Sequence, residues 1–161
     1  YGFEIDGDHL YLLGDFTVTH NTVIFSFIVY QSVMRGGAPW VMAHRRELIA
    51  QISQSLALFG VKHRICADAG TVRKLRIKHF KAFGKSFVDQ TASSMVGSVQ
   101  TVASMLKQPN IKPPSIIIMD EAHHVVEGNQ WGNVFDRFPD AKKLKVTATP
   151  ERTDGRGLGL A

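Results

Sequence analysis

Apolar residues form short unbroken runs along this chain, and the clearest run covers 116–119, Ile-Ile-Ile-Met. It stops at two adjacent carboxylates, Asp120 and Glu121. A short run without polar alternation is typical of a strand buried on both faces, as in the middle of a parallel sheet covered by helices. Further strands are predicted at 40–43, 63–67, 95–99 and 144–146.

Helical periodicity appears between these predicted strands. Leu48, Ile52, Leu56 and Phe59 keep a spacing of three or four residues, which predicts a helix that begins near residue 44 and ends at 59. Other helices are predicted from residue 22 to the glycines at 36 and 37, and over 71–85, 100–107 and 131–138. Strands that alternate with helices indicate an α/β fold with a parallel sheet.

The predicted helix at 71–85 carries a concentration of positive charge. Its apolar positions approximate one helical face and are Val72, Leu75, His79, Phe80 and Phe83. Six cations and no acid lie in this segment, whereas the whole chain has a net charge of +5, so the remainder sums to −1. Two interpretations stay open, a solvated surface helix or a contact surface for nucleic acid.

Length and composition limit the class of protein. A chain of 161 residues can bury one hydrophobic core. The apolar run 23–30 is far shorter than the ~20 residues needed to span a bilayer, so no membrane association is expected. The single cysteine, Cys66, excludes an internal disulfide and lies in an apolar context, which favours a core role and a reducing, cytoplasmic location.

The two carboxylates suggest a chemical role. Ligands of open α/β sheets bind beyond the carboxyl ends of the strands, where Asp120 and Glu121 are expected. One carboxylate there can hold hydrated Mg²⁺ while the other orients water, although solvated acids that cap a strand are the simpler alternative. The tetrad at 120–123, Asp-Glu-Ala-His, resembles the Walker B box of the DEAH-type superfamily 2 helicases and translocases.

Three more segments resemble motifs of these helicases in the same order. They are Ala-His-Arg-Arg-Glu-Leu at 43–48, Gly-Ser-Val-Gln-Thr at 97–101 and Thr-Ala-Thr-Pro at 147–150, similar to motifs Ia, Ib and III. The resemblance implies a RecA-like domain with helices on both faces of the sheet, ATP and Mg²⁺ as cofactors, and nucleic acid as partner. Residues 147–159 also resemble RadD-like and phage-type members, which favours DNA over RNA.

The resemblance also implies individual roles. Asp120 would position Mg²⁺, Glu121 would orient the attacking water, and His123 would couple to motif III. The motif III residues are Thr147, Ala148 and Thr149. The implied nucleic-acid contacts are His44, Arg45, Arg46, Ser98, Gln100 and Thr101.

The first twenty-one residues differ from the helicase pattern. Alternating apolar residues with turns at 7–8 and 14–15 predict a small β-meander that ends at His20-Asn21-Thr22. This block resembles the C-terminal splicing block of inteins. The resemblance implies that Asn21 cyclises to break the bond to Thr22, that His20 polarises the carbonyl, and that His9 assists. The Thr22 hydroxyl would accept the upstream acyl group.

Thr22 has a second implied role. Together with the apolar helix after it, Thr22 resembles the end of a phosphate-binding loop, Gly-x-x-x-x-Gly-Lys-Thr, in which it would bind ATP and Mg²⁺. Residues 15–21 contain neither the glycine nor the lysine that this pattern places before its threonine. An intein inserted between the lysine of the loop and Thr22 would explain their absence. An ordinary N-terminal hairpin is the alternative.

The expected domains are a C-terminal intein segment at 1–21 and a truncated helicase ATP-binding domain at 22–161. Without the lysine and a second RecA-like motor domain, this chain is expected to be inactive by itself.

Two other functions stay open. The chain could be a self-splicing segment whose helicase part is only the host, or a nucleic-acid-binding remnant that has lost turnover. A metal site at His123 and His124 has no support, because neither an HExxH nor a CxxC spacing is present.

Overall fold

The computed structural model describes residues 11–12, 18–19, 21–43, 45–108, 111–119 and 130–146. In chain order, the elements are β1 (Tyr11–Leu12), β2 (Val18–Thr19), α1 (Asn21–Met34), β3 (Pro39–Ala43), α2 (Arg46–Leu58), β4 (Arg64–Cys66), α3 (Ala69–Phe83), β5 (Met95–Ser98), α4 (Val99–Met105), β6 (Ile116–Met119), α5 (Gln130–Arg137) and β7 (Lys142–Lys145). None of the helices within these ranges is long and apolar enough to cross a membrane.

Five strands form one parallel sheet in the order β4-β5-β3-β6-β7. The central strand β3 is paired on both sides, and its Met42 lies opposite Gly97 of β5 and Met119 of β6. Strand β6 occupies an interior position, and its last three residues are fully buried. The prediction of a parallel sheet with a doubly buried strand at 116–119 is therefore confirmed.

Helices cover both faces of the sheet. Val41 and Ile118 point to the face covered by α1, α2 and α3, whereas Trp40, Ile117 and Met119 point to the face covered by α4 and α5. Successive side chains of a strand alternate between faces. A strand with a core on each side therefore needs an apolar residue at every position, which explains the unbroken run.

The short strands β1 and β2 form an antiparallel pair outside the main sheet. Tyr11 lies opposite Thr19, and Leu12 lies opposite Val18, so these parts of the two predicted strands pair with each other. The predicted strand at residues 1–6 lies outside the described residues.

Helix α3 differs from its predicted form in the exposure of one side chain and in where the helix begins. Leu75 and His79 are buried as expected, but Phe80 is 58% exposed. Because each helical residue is rotated by about 100° from the previous one, Phe80 cannot share the buried direction of its neighbour His79. The helix also starts before residue 71, since the Asp68 carboxylate accepts a hydrogen bond from the Thr71 N–H at 2.9 Å and caps its first turn.

Three fully buried polar side chains connect α2, the start of β4 and α3. Ser53 Oγ lies 2.7 Å from Nε2 of His63 and 3.1 Å from Nε2 of His79. Nδ1 of His63 lies 2.9 Å from the Val61 carbonyl, and Nδ1 of His79 accepts the Phe87 N–H at 3.2 Å. These partners fix the protons: His79 donates to Ser53, Ser53 donates to His63, and His63 donates to the carbonyl. Every polar atom is satisfied with both rings neutral.

Burial of this network lowers the pKa of both histidines. Loss of hydration lowers the pKa of His63 to about 4, with the nearby His79 contributing and the bond to Val61 opposing the shift. Burial also lowers the pKa of His79, and hydrogen bonding with Ser53 opposes this shift. In the folded protein both pKa values lie below the unfolded value of about 6.5. The stabilisation that the neutral network provides is therefore complete above a pH of about 6.5, and it is lost as the pH falls towards the folded pKa values.

We predict that acidification from pH 7 to pH 5 lowers the free energy of unfolding by about 2 kcal/mol through His63 alone, since each pH unit below the unfolded pKa costs about 1.4 kcal/mol. A His63→Gln variant has no proton to take up at this site. The stability difference between the unsubstituted chain and the variant should therefore shrink as the pH falls, which urea unfolding at a series of pH values measures. A difference that stays constant over this range would contradict the assignment of neutral, buried rings.

Candidate functional site

The carboxyl ends of the parallel strands lie side by side. Ala43 at the end of β3 is opposite Ser98 at the end of β5, and Met119 at the end of β6 is opposite Lys145 at the end of β7. We call this side of the sheet, which also includes Cys66 at the end of β4, the carboxyl edge. Segments that follow different strands therefore leave the sheet from one edge.

Strands β6 and β7 stay paired up to the residues that precede two of the predicted motifs. The Val146 N–H donates to the Met119 carbonyl at 2.8 Å. Met119 directly precedes Asp120 in the sequence, and Val146 directly precedes Thr147. Several predicted site residues lie outside the described residues: His9, His20, His44, Asp120, Glu121, His123, Thr147, Ala148 and Thr149.

The β5–α4 corner brings three predicted nucleic-acid contacts together. Ser98 is the N-cap of α4, and its Oγ accepts the Thr101 N–H at 3.2 Å and lies 2.8 Å from the Thr101 hydroxyl. Ser98 and Thr101 are half-buried, and Gln100 is exposed between them. Polar groups are thus presented at the carboxyl edge in the first turn of the helix.

Gly97 is required by the close approach of β4 at this corner. A Cβ at Gly97 would lie 2.8 Å from the Cβ of Cys66 and 3.0 Å from a methyl group of Val102. Any side chain there would force the two strands apart. The glycine before Ser98 therefore has a packing role, which the sequence alone did not assign.

The start of α2 lies beside this corner. Arg45 is the N-cap of α2 and has extended backbone angles, but its side chain makes no capping hydrogen bond and is exposed. An arginine side chain has no acceptor, so it leaves the first-turn N–H groups available while adding a positive charge. Arg46 is the first residue of the helix. This arrangement suits a phosphate group.

Thr22 is half-buried in the first turn of α1. The helix is anchored to α2 through the buried Phe25 and Val29, and Ser26 donates a hydrogen bond to Ser55 at 2.9 Å. Gly36, with a φ of 76°, follows the helix, as predicted. Within the described ranges, no group of three or more His, Cys, Asp or Glu residues could hold a metal ion.

Cys66 has the properties of a core residue. It is half-buried and packs against the apolar cluster beneath α4 and α5. Burial raises the pKa of its thiol, and the charge of Arg64 only partly opposes this shift. A thiol with a raised pKa is a weak nucleophile at neutral pH, which agrees with the core role predicted from its apolar context.

The sequence profile of the type III restriction enzyme res subunit family matches residues 22–152. The chain belongs to this family. The match starts at Thr22 and covers every described element from β3 to β7.

Two curated proteins are similar to this chain. A 51.5 kDa protein of Lactococcus phage (isolate 7-9) is 26% identical over 137 residues, which are 85% of this chain and 24% of the phage protein. The putative ATP-dependent helicase IRC3 of Saccharomyces cerevisiae is 32% identical over 127 residues, which are 74% of this chain and 16% of the yeast protein. The chain thus spans at most about a quarter of either relative.

Two solved structures share the fold. The UvsW helicase of bacteriophage T4 matches with a TM-score of 0.59 and 14% identity, over 80% of this chain and 43% of UvsW. The type ISP restriction-modification enzyme LlaGI, solved as a nuclease-deletion mutant with a DNA substrate mimic, matches with a TM-score of 0.50 and 14% identity, over 84% of this chain and 15% of LlaGI. This similarity shows a RecA-like α/β fold.

Proposed function

We propose that this chain is the ATP-binding motor domain of an ATP-dependent nucleic-acid helicase or translocase. The pairing of β6 with β7 up to Met119 and Val146 carries the proposal, because the DEAH and Thr-Ala-Thr segments follow these residues directly. Ligands of parallel α/β sheets bind at this edge. Membership of the res subunit family and the similarity to IRC3, named a putative ATP-dependent helicase, support the same class.

Three acidic or hydroxyl residues are proposed to bind Mg²⁺ and to orient the attacking water. Asp120 and Thr22 offer the oxygen ligands that Mg²⁺ prefers, and they would hold it. When bound with ATP, Mg²⁺ neutralises phosphate charge. Glu121 orients the attacking water and accepts its proton.

A second set of residues would connect ATP hydrolysis to movement. His123 is proposed to couple the state of ATP to the hydroxyl groups of Thr147 and Thr149, with the small Ala148 between them. This coupling rests on the motif resemblance and on the paired ends of β6 and β7.

The proposed nucleic-acid site lies at the start of α2 and the β5–α4 corner. Arg45 and Arg46, with His44 before them, would bind phosphates, together with uncapped N–H groups of α2. The polar groups at 98–101 would contact the same backbone. We propose DNA as the substrate, because LlaGI, which shares the fold, was solved with a DNA substrate mimic.

We also propose a splice junction between Asn21 and Thr22, with an intein segment at 1–21. The family match begins at residue 22, directly after this junction, and the described β1–β2 pair agrees with a small β segment before α1. The roles of His9, His20, Asn21 and Thr22 are those that the intein resemblance implies.

We predict that the 161-residue chain has no measurable nucleic-acid-stimulated ATPase activity, because His20 and Asn21 stand where a glycine and a lysine would hold the phosphates. A longer protein, with Gly-Lys joined to Thr22 and a second motor domain, should hydrolyse ATP. In that protein, Glu121→Gln should retain ATP binding and lower turnover by a factor on the order of 10² or more.

Steady-state ATPase assays and nucleotide binding measure these effects. Asp136→Asn, which removes an exposed carboxylate from α5, is the matched control and should leave turnover unchanged. Rapid turnover by the 161-residue chain, or by the Glu121→Gln protein, would contradict the proposed site.

We also predict that Asn21→Ala blocks cleavage at the Asn21–Thr22 bond in a precursor that carries a complete intein, because no side-chain amide remains to attack the carbonyl. Thr22→Ala should stop ligation while cleavage at Asn21 remains. Intact-mass spectrometry of the products distinguishes these outcomes. A spliced product from the Asn21→Ala precursor would refute the intein assignment.

A further inference from the structure

The outward face of α3 presents side chains that the core does not use. A helix turns by about 100° per residue, so positions 73, 77, 80 and 81 point in similar directions, away from the buried Leu75 and His79. Ile77 and Phe80 are 47% and 58% exposed, and the two basic residues beside them are exposed as well. We call this set the outer stripe of α3: Arg73, Ile77, Phe80 and Lys81.

Among the described residues, no acid forms an ion pair with either cation of the outer stripe. In the part of the chain that the structure describes, an ion pair joins Lys62 and Asp89 at 4.0 Å, and no such pair involves Arg73 or Lys81. Their charge is therefore available to an anionic ligand.

The remaining cations of this region are placed differently. Hydrogen bonds from Thr91, followed by the charges of Lys62 and Arg76, lower the pKa of Asp89, so Arg76 lies near a carboxylate. Lys74 and Lys78 line a groove of about 440 Å³ between α2 and α3 together with Glu47. Lys85 lies over the ring of Phe87, with 5.1 Å between its Nζ and the ring centroid.

The outer stripe combines the two features with which proteins bind single-stranded nucleic acid. Cations neutralise phosphates, and an exposed aromatic ring stacks on an unpaired base regardless of its identity. Arg73 and Lys81 are eight residues apart, or about 12 Å along the helix axis. At about 3.4 Å per nucleotide of a stacked strand, this distance corresponds to three or four nucleotides.

The position of α3 connects the outer stripe to the carboxyl edge. The helix begins at Ala69, three residues after β4 ends at Cys66, and β4 pairs with β5, whose end carries Ser98. Arg73 is in the second turn and Lys81 is in the last, so the stripe starts near the carboxyl edge and leads away from it.

We propose that the outer stripe of α3 is a second contact surface for single-stranded nucleic acid, on which Arg73 and Lys81 bind phosphates and Phe80 stacks on a base. It extends the site at Ser98 and Arg45, and therefore rests on the proposed function. A membrane surface fits less well, because an interfacial helix buries a continuous apolar face, whereas the apolar face of α3 is packed into the core.

The test measures binding of a fluorescent oligothymidylate by anisotropy over a range of salt concentrations. Replacing Arg73 and Lys81 together by glutamine should reduce the slope of log affinity against log salt by about 1.4, because each phosphate contact of a single strand contributes about 0.7. Phe80→Ala should weaken binding by about tenfold or more at constant salt, whereas Phe80→Trp, which retains a stacking surface, should preserve it. Circular dichroism confirms that each variant is folded.

The matched control replaces Lys107 and Lys112, two exposed cations outside α3, by glutamine. It removes the same charge and should leave the salt slope and affinity close to those of the unsubstituted chain. Equal losses in this control and in the stripe variants would overturn the proposal, because net charge alone would then explain binding.

Two further results would also overturn it. If the stripe variants bind normally while Arg45→Gln weakens binding, the second surface is absent, although the proposed function stands. If the chain binds vesicles that contain phosphatidylserine but not the oligonucleotide, the outer stripe serves a membrane. The ATPase assay tests the proposed function separately, since none of these substitutions touches the proposed ATP residues.

Discussion

The in-register parallel pairing of β3 with β5 and β6 is the constraint on which the rest of this domain depends. Met42 lies opposite both Gly97 and Met119, and a slip of one residue would turn every side chain of a strand to the other face. Both faces are filled with apolar side chains of different size, and Gly97 allows the close approach of Cys66, so the register is strongly specified. The same register aligns the strand ends at the carboxyl edge, where the proposed chemistry is located.

Much of the fold could be predicted from the sequence because burial on both faces leaves a strong pattern. The runs at 40–43, 95–99 and 116–119 became β3, β5 and β6 with small changes at their ends. Strand β7 was predicted at 144–146 but covers Lys142–Lys145, since its exposed lysines carry no apolar signal and only pairing with β6 defines the strand. The exposure of Phe80 was missed because approximate periodicity does not separate neighbouring helical positions.

Hydrogen bonds between polar side chains of different elements were harder to predict than strands. His79 was predicted on the buried face of α3, but its network with Ser53 and His63 depends on contacts between separate elements that no local pattern contains. For the candidate site, motif resemblance predicted Ser98 and Thr101, and the structure adds that Ser98 caps α4 by accepting the Thr101 N–H. The roles of Asp120 and Glu121 remain predictions, because these residues lie outside the described part of the chain.

The most direct test of the carboxyl edge as the nucleic-acid site is the affinity of a Ser98→Asp variant for single-stranded DNA. Aspartate is as good an N-cap as serine, so α4 should stay capped and the free energy of unfolding should be unchanged, while the added carboxylate repels phosphates. We expect binding weaker by about tenfold or more, with Ser98→Asn as the neutral control that binds normally. Undiminished binding by a stably folded Ser98→Asp variant would contradict the account.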